Sequence, residues 1–128
     1  SGVSPDMRDL LSAEAQGDER ASLAIELFCY EAKKALGGLV AVLDGLDTLI
    51  FTGGIGERSA VIRQRICAGL ATFGVALDPQ RNDAHAPVIA SDASRVGVRV
   101  IPTNEELMIA RHTIQTLART PLIGPEPA

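Results

Sequence analysis

The stretch Phe51-Thr52-Gly53-Gly54-Ile55-Gly56-Glu57-Arg58-Ser59 places three glycines between two runs of different periodicity. Thr48-Leu49-Ile50-Phe51 before it is short, apolar and β-rich, the length expected of a buried strand. After it, Val61, Ile62, Ile66, Leu70 and Phe73 recur at helical spacing, which predicts a helix from Ala60 to Phe73 capped by Gly74. A strand that hands over to a helix through glycines has a backbone free of Cβ atoms, and the unpaired N–H groups and dipole of the helix suit an anion. Two readings stay open from the pattern alone, a nucleotide site and a tight structural βα turn. No Gly-Lys-Ser/Thr follows, so this is not a phosphate loop of the Walker type. The dinucleotide fingerprint is half matched: Gly54-x-Gly56 is present, and Ser59 stands where the third glycine or alanine belongs.

A chain of 128 residues is enough for one packed core. Its 46% hydrophobic and 22% charged residues place it among globular sequences. A net charge of −4 without a basic stripe argues against nucleic acid as a partner. No apolar run reaches the roughly 20 residues of a membrane span, and no signal-peptide pattern opens the chain, so the expectation is a cytoplasmic protein with no membrane partner. Cys29 and Cys67 fall within predicted helices and read as small buried hydrophobes. The opening Ser1-Gly2-Val3-Ser4 lacks an initiator Met, which fits either processing or a piece of a longer protein.

Ser4 can cap a first helix with Pro5 in its first position, Asp6 and Asp9 in its first turn and Gly17 at its stop. Arg8, a cation near a positive helix end, either pairs with a neighbouring Asp or faces a ligand. Asp18 caps a second helix running to about Leu43, whose wide apolar face predicts deep burial. Gly37-Gly38 within it implies close packing against another backbone, or a kink. Arg63 and Arg65 read as solvated charges on the polar side of the third helix. Val75–Asp78 is a possible short strand, and Val88-Ile89-Ala90 is weakly strand-like. Asp78, roughly two dozen residues past Gly54, stands near the place of a ribose-binding acid, although turn chemistry before Pro79 is the preferred reading. His85 and His112 are isolated from other metal-ligand types. Val96 to Ile101 is a second strand, and Pro102 opens a last helix ended by Pro121, with a loose tail over 121–128. Thr103-x-x-Glu106 has capping-box spacing, which leaves Glu105 as a first-turn charge or an oxygen group for Mg²⁺. This order predicts an α/β fold with parallel strands, in a sheet thin enough to imply further protein around it.

Three blocks in register, Ser1 to Leu10, Phe51 to Ser59 and Val100 to Glu106, resemble the C-terminal part of the acetate kinase (acetokinase) family. Gly17-Asp18-Glu19-Arg20 and Leu77-Asp78 match in character, so the resemblance covers essentially the whole chain. It implies that residues 1–128 are the nucleotide-binding portion of the C-terminal, ribonuclease-H-like domain of the actin/hexokinase/acetokinase superfamily. Such enzymes transfer phosphate between ATP and a short carboxylate, giving acetyl phosphate and ADP, with Mg²⁺, and typically as homodimers. The resemblance assigns ATP contacts to Asp6, Met7 and Arg8 and to the adenosine loop Gly54, Ile55, Gly56, Glu57 and Arg58, and the magnesium-associated glutamate to Glu105. Arg58 departs from the usual family Asn, replacing a group that donates and accepts with one that only donates. Catalytic groups and the carboxylate pocket are implied upstream of Ser1, so the chain alone is expected to be inactive. Acetate, propionate and butyrate are not separable as acceptors. The alternatives are a stand-alone nucleotide-binding or dimer-forming module and an NAD-binding half-domain.

Overall fold

The computed structural model describes residues 6–103. Ser4, Pro5, Glu105, Glu106, His112 and the expected last helix and tail lie outside the described residues. The elements run α1 (Met7–Ala15), α2 (Glu19–Leu43), β1 (Thr48–Phe51), α3 (Gly53–Arg58) and α4 (Ala60–Cys67). A 3₁₀ turn (Ala71–Phe73), α5 (Pro79–Asp83) and β2 (Gly97–Val100) follow.

The first helix starts later than the sequence reading placed it. Asp6, not Ser4, is the N-cap, with extended backbone and a carboxylate accepting the Arg8 N–H at 2.9 Å. An ionised carboxylate is the stronger acceptor for an orphan N–H at a positive helix end. At the other end Gly17 takes φ +90, its N–H reaches Glu14 O at 2.9 Å and the Asp18 N–H reaches Ala13 O at 3.0 Å. That is a Schellman closure, for which glycine is suited. Asp18 then caps α2 as expected, accepting from Arg20 and Ala21 N–H at 2.9 and 3.1 Å. The end near Leu43 also holds, closed by left-handed Asp44 and by the Gly45 N–H on Val40 O at 2.9 Å.

The deep burial expected of α2 does not hold. Only Ala21, Ile25 and Cys29 are buried, a single stripe with a four-residue repeat. Leu27, Tyr30 and Val42 are 57%, 60% and 82% exposed. Among the described elements α1 and α4 pack on α2, and they cover one narrow side of it. A Cβ at Gly37 or Gly38 would meet no atom within 4 Å, so the glycines serve no close backbone approach among the described residues.

β1 and β2 pair in parallel, Thr48 opposite Gly97 and Phe51 opposite Val100. Leu49, Phe51, Val98 and Val100 face the core while Thr48, Ile50 and Arg99 face away, so β1 is buried on one face and not two. Val75–Asp78 and Val88–Ala90 form isolated antiparallel bridges, Leu77 to Ala90 and Val88 to Arg99, and no strand. The third helix also differs in length: α4 stops at Cys67, and the chain tightens through the 3₁₀ turn to Gly74 at φ +93. Ile62, Ile66 and Leu70 nevertheless share the core as their spacing predicts. Arg65 keeps 37% of its side chain exposed but is not a free surface charge. It grips Glu14 with both terminal nitrogens at 3.0 and 2.7 Å, tying α4 to α1.

Burial sets the contrast between two α2 substitutions. Ile25→Ala, at a fully buried site, should cost about 2–5 kcal/mol, whereas Leu27→Ala should stay within about 0.5 kcal/mol. Urea unfolding of the 128-residue chain measures both.

Candidate functional site

The glycine stretch is itself helical. After extended Thr52, Gly53 takes φ +74, a conformation L side chains rarely adopt, and opens the six-residue α3. A run of hydrogen bonds fixes this entry. The Gly53 N–H donates to Thr103 Oγ1 at 2.9 Å, the Thr103 and Thr52 hydroxyls lie 2.7 Å apart, and Thr52 Oγ1 donates to Ile101 O at 2.7 Å. A hydroxyl has one proton, so Thr52 uses its own on Ile101 and accepts from Thr103. The Thr103 N–H donates to Glu57 Oε2 at 3.2 Å. Glu57 thus takes the N–H that the capping-box spacing had reserved for Glu106.

Arg63, expected in solvent, is fully buried, and each of its five N–H groups has an acceptor. Nε donates to Asn82 Oδ1 at 2.7 Å, Nη1 to the carbonyls of Gly56 and Glu57 at 2.9 and 3.0 Å, and Nη2 to Asn82 O and His85 Nδ1, each at 2.8 Å. Desolvation lowers its pKa from the ordinary arginine value. Asp78 serves this network indirectly: its carboxylate accepts the Arg81 N–H at 2.9 Å and caps α5, which carries Asn82. The structure therefore gives Asp78 a helix-capping job in place of ribose binding.

Between α1 and α3 lies a cleft of about 400 Å³. It gathers Asp6, Met7, Arg8, Gly54, Ile55 and Arg58 from two segments far apart in sequence, together with Leu11 and Ser59. The sequence reading missed Leu11 as a lining group because it counted only as core, and Ser59 because it counted only as a failed third glycine. Ser59 also caps α4, its Oγ accepting the Ile62 N–H at 3.2 Å. Two of the assigned loop residues do not line the cleft. Gly56 faces Phe51, whose Cβ would lie 3.5 Å from an added Cβ, and the Glu57 carboxylate turns to Thr103. Gly54 presents open space, with no atom within 4 Å of an added Cβ.

Arg8 pairs with Asp6 at 3.1 Å, as one of its two readings had it, and its largely exposed side chain lines the cleft. Arg58 lines the same cleft and makes no ion pair with another described residue. A larger open groove of about 710 Å³ lies against α2 and α4, but its Glu14 and Arg65 already satisfy each other and no glycine-loop residue reaches it. Burial pushes the Cys67 thiol up to about 12 and raises that of Cys29, so both remain protonated packing groups. Among the described residues no three His, Cys, Asp or Glu side chains gather as a metal site, and no helix is long and apolar enough to cross a membrane. Glu105, the residue assigned to Mg²⁺, lies outside them.

The hydrogen bond from the Arg8 side chain holds the Asp6 carboxyl below its ordinary value of 3.8, with the Arg8 backbone N–H acting in the same sense. A depressed folded-state pKa contributes stability above the unfolded value and loses it as pH falls through the folded one. Carboxyl NMR titration should place Asp6 below 3.8, and Arg8→Gln should move it upward.

A sequence profile of the Acetokinase family matches residues 1–111. The acetate kinase of Dictyoglomus thermophilum is 47% identical over 121 residues, covering 93% of this chain and 30% of that protein. That of Nitrobacter hamburgensis is 52% identical over 117 residues, covering 91% of this chain and 28% of its own length. Among solved structures, Porphyromonas gingivalis acetate kinase superposes with a TM-score of 0.82 at 39% identity, over 91% of this chain and 30% of that one. A propionate kinase from Francisella tularensis gives 0.76 at 43% identity, over 83% and 27%. The chain spans under a third of the length of these relatives, and the profile, the identities and the shared α/β fold place it in the acetokinase family.

Proposed function

We propose that this chain is the ATP-binding portion of an acetate kinase, or of a kinase for another short-chain carboxylate, and that it supplies the nucleotide wall of the site. The observation that carries this reading is the convergence of Asp6, Met7 and Arg8 with Gly54, Ile55 and Arg58 on one cleft beside the sheet's carboxyl end, where α/β folds bind ligands. Met7, Leu11 and Ile55 offer apolar surface for a purine. Arg8 and Arg58 offer guanidinium groups for phosphate oxygens, and Gly54 leaves the backbone open to close approach.

Phosphoryl transfer is carried by positioning and by positive charge around the moving group. In this reading the chain binds and orients ADP or ATP, while the groups that hold the carboxylate and act on the transferred phosphoryl come from the remaining length of the enzyme. This portion alone is then inactive. Mg²⁺ accompanies the nucleotide, with Glu105 as its oxygen group, and supplies charge neutralisation when bound. Homodimer formation and a cytoplasmic setting belong to the same reading and rest on the family resemblance. An NAD-binding half-domain fits less well, because Asp78 is engaged as the α5 cap and Ser59 as the α4 cap.

The test uses the complete polypeptide that carries this chain. With Mg-ATP and acetate it should form acyl phosphate, trapped as hydroxamate, and a parallel assay with propionate ranks the acceptors. Gly54→Val extends a side chain into the open cleft and should weaken ATP affinity about tenfold or more while leaving the unfolding midpoint near wild type. ATP binding without turnover on any carboxylate would favour a binding module, and tighter binding of NADH than of Mg-ATP would overturn the reading.

A further inference from the structure

We propose that Arg63 is a positioning residue of the nucleotide cleft, fixing the geometry of its α3 wall from behind without touching the ligand. The inference rests on the nucleotide reading for its functional consequence, but its structural part stands on this chain's own contacts. Arg63 is on α4, outside the cleft lining, and is fully buried. Its Nη1 group holds the carbonyls of Gly56 and Glu57, which belong to the last turn of α3 and lack later helical partners of their own. Its other three N–H groups are anchored on Asn82 and His85, at and just beyond the end of α5. The anchor is itself fixed, because Asn82 Nδ2 donates to Ala60 O at 2.9 Å and Asp78 caps the short helix.

The cleft residues Gly54, Ile55 and Arg58 ride on the segment that this guanidinium holds. A helix of six residues has little stability of its own, so its orientation comes from what grips it. The Thr103 hydroxyl grips the Gly53 end and Arg63 grips the other. Lysine in place of Arg63 offers three donors on a point charge and cannot meet five acceptors arranged around a planar fork. The charge would remain, but the α3 carbonyls would lose their common partner.

Arg63→Lys and His85→Gly test this in the complete polypeptide. Gly tolerates the left-handed backbone of His85 (φ 52) and has no side chain to accept from Arg63. Amide hydrogen exchange is followed without nucleotide, and KM for Mg-ATP, KM for the carboxylate and the unfolding midpoint are measured beside it. Positioning predicts faster exchange confined to 54–59, and a KM for Mg-ATP raised about tenfold in Arg63→Lys and less in His85→Gly, with the carboxylate KM unchanged. A lower unfolding midpoint with unchanged exchange in 54–59 and unchanged KM for Mg-ATP would make Arg63 a core tie only and overturn the proposal. If Arg63→Lys does not fold, His85→Gly decides by the same two readouts. If the wild type binds no ATP, the nucleotide reading falls while the exchange arm still settles whether Arg63 holds α3.

Discussion

A guanidinium buried without a carboxylate partner is the constraint around which residues 56–85 are arranged. Removing a cation from water costs several kcal/mol, and neutral acceptors offset that only when every N–H finds one. Arg63 meets the condition with three backbone carbonyls, one side-chain amide and one imidazole. Those acceptors lie on α3, on α5 and on His85 two residues past α5, so the charge is tolerable only when both short helices are in place. Neither helix is long enough to persist alone. Asp78 and Pro79 start α5 in the one orientation that brings Asn82 under the guanidinium, and the requirement for full satisfaction converts local turn chemistry into long-range order.

The sheet solves a related problem at the other end of α3. Two parallel strands have little independent stability, and their carboxyl ends must still deliver Thr52 and Thr103 to a fixed separation. The ladder continues past β2, with the Ile101 N–H on Phe51 O at 2.9 Å, and the two threonine hydroxyls then run in one direction from the Gly53 N–H to the Ile101 carbonyl. Register therefore sets where α3 begins. Glu57 closes the loop by returning to the Thr103 N–H, so one residue of the glycine stretch serves the exit of β2 and not the cleft.

What the sequence disclosed was local chemistry. Asp18 as a cap, Thr48–Phe51 as a strand and the closures at Gly17 and Gly74 all follow from side chains acting within a few residues. The family resemblance added the pairing of Asp6–Arg8 with Gly54, Ile55 and Arg58, which no periodicity could supply. Arg63 was not legible because its partners lie six to 22 residues away, on elements whose packing against α4 no helical spacing reveals. The burial of α2 failed for the converse reason: spacing tells which face is apolar but not whether anything covers it. The Thr103 N–H was assigned to Glu106 because Thr103-x-x-Glu106 offered a partner nearer in sequence than Glu57, which accepts it.

The two arginines first read as solvent charges decide how the cleft is framed. They stand two residues apart on α4, about 200° around a helix, and so point to opposite sides. Arg65 reaches α1 through a bidentate grip on Glu14, and Arg63 reaches α3 through the carbonyls of Gly56 and Glu57. The walls of the cleft are α1 and α3, so α4 sets their separation without lining the space between them. The exposed Asp6–Arg8 pair adds little to stability, and its consequence is to aim one guanidinium along the wall that Arg65 holds. Arg58 sits on the wall that Arg63 holds. The position of each cleft cation is thus inherited from a different arginine of the same helix.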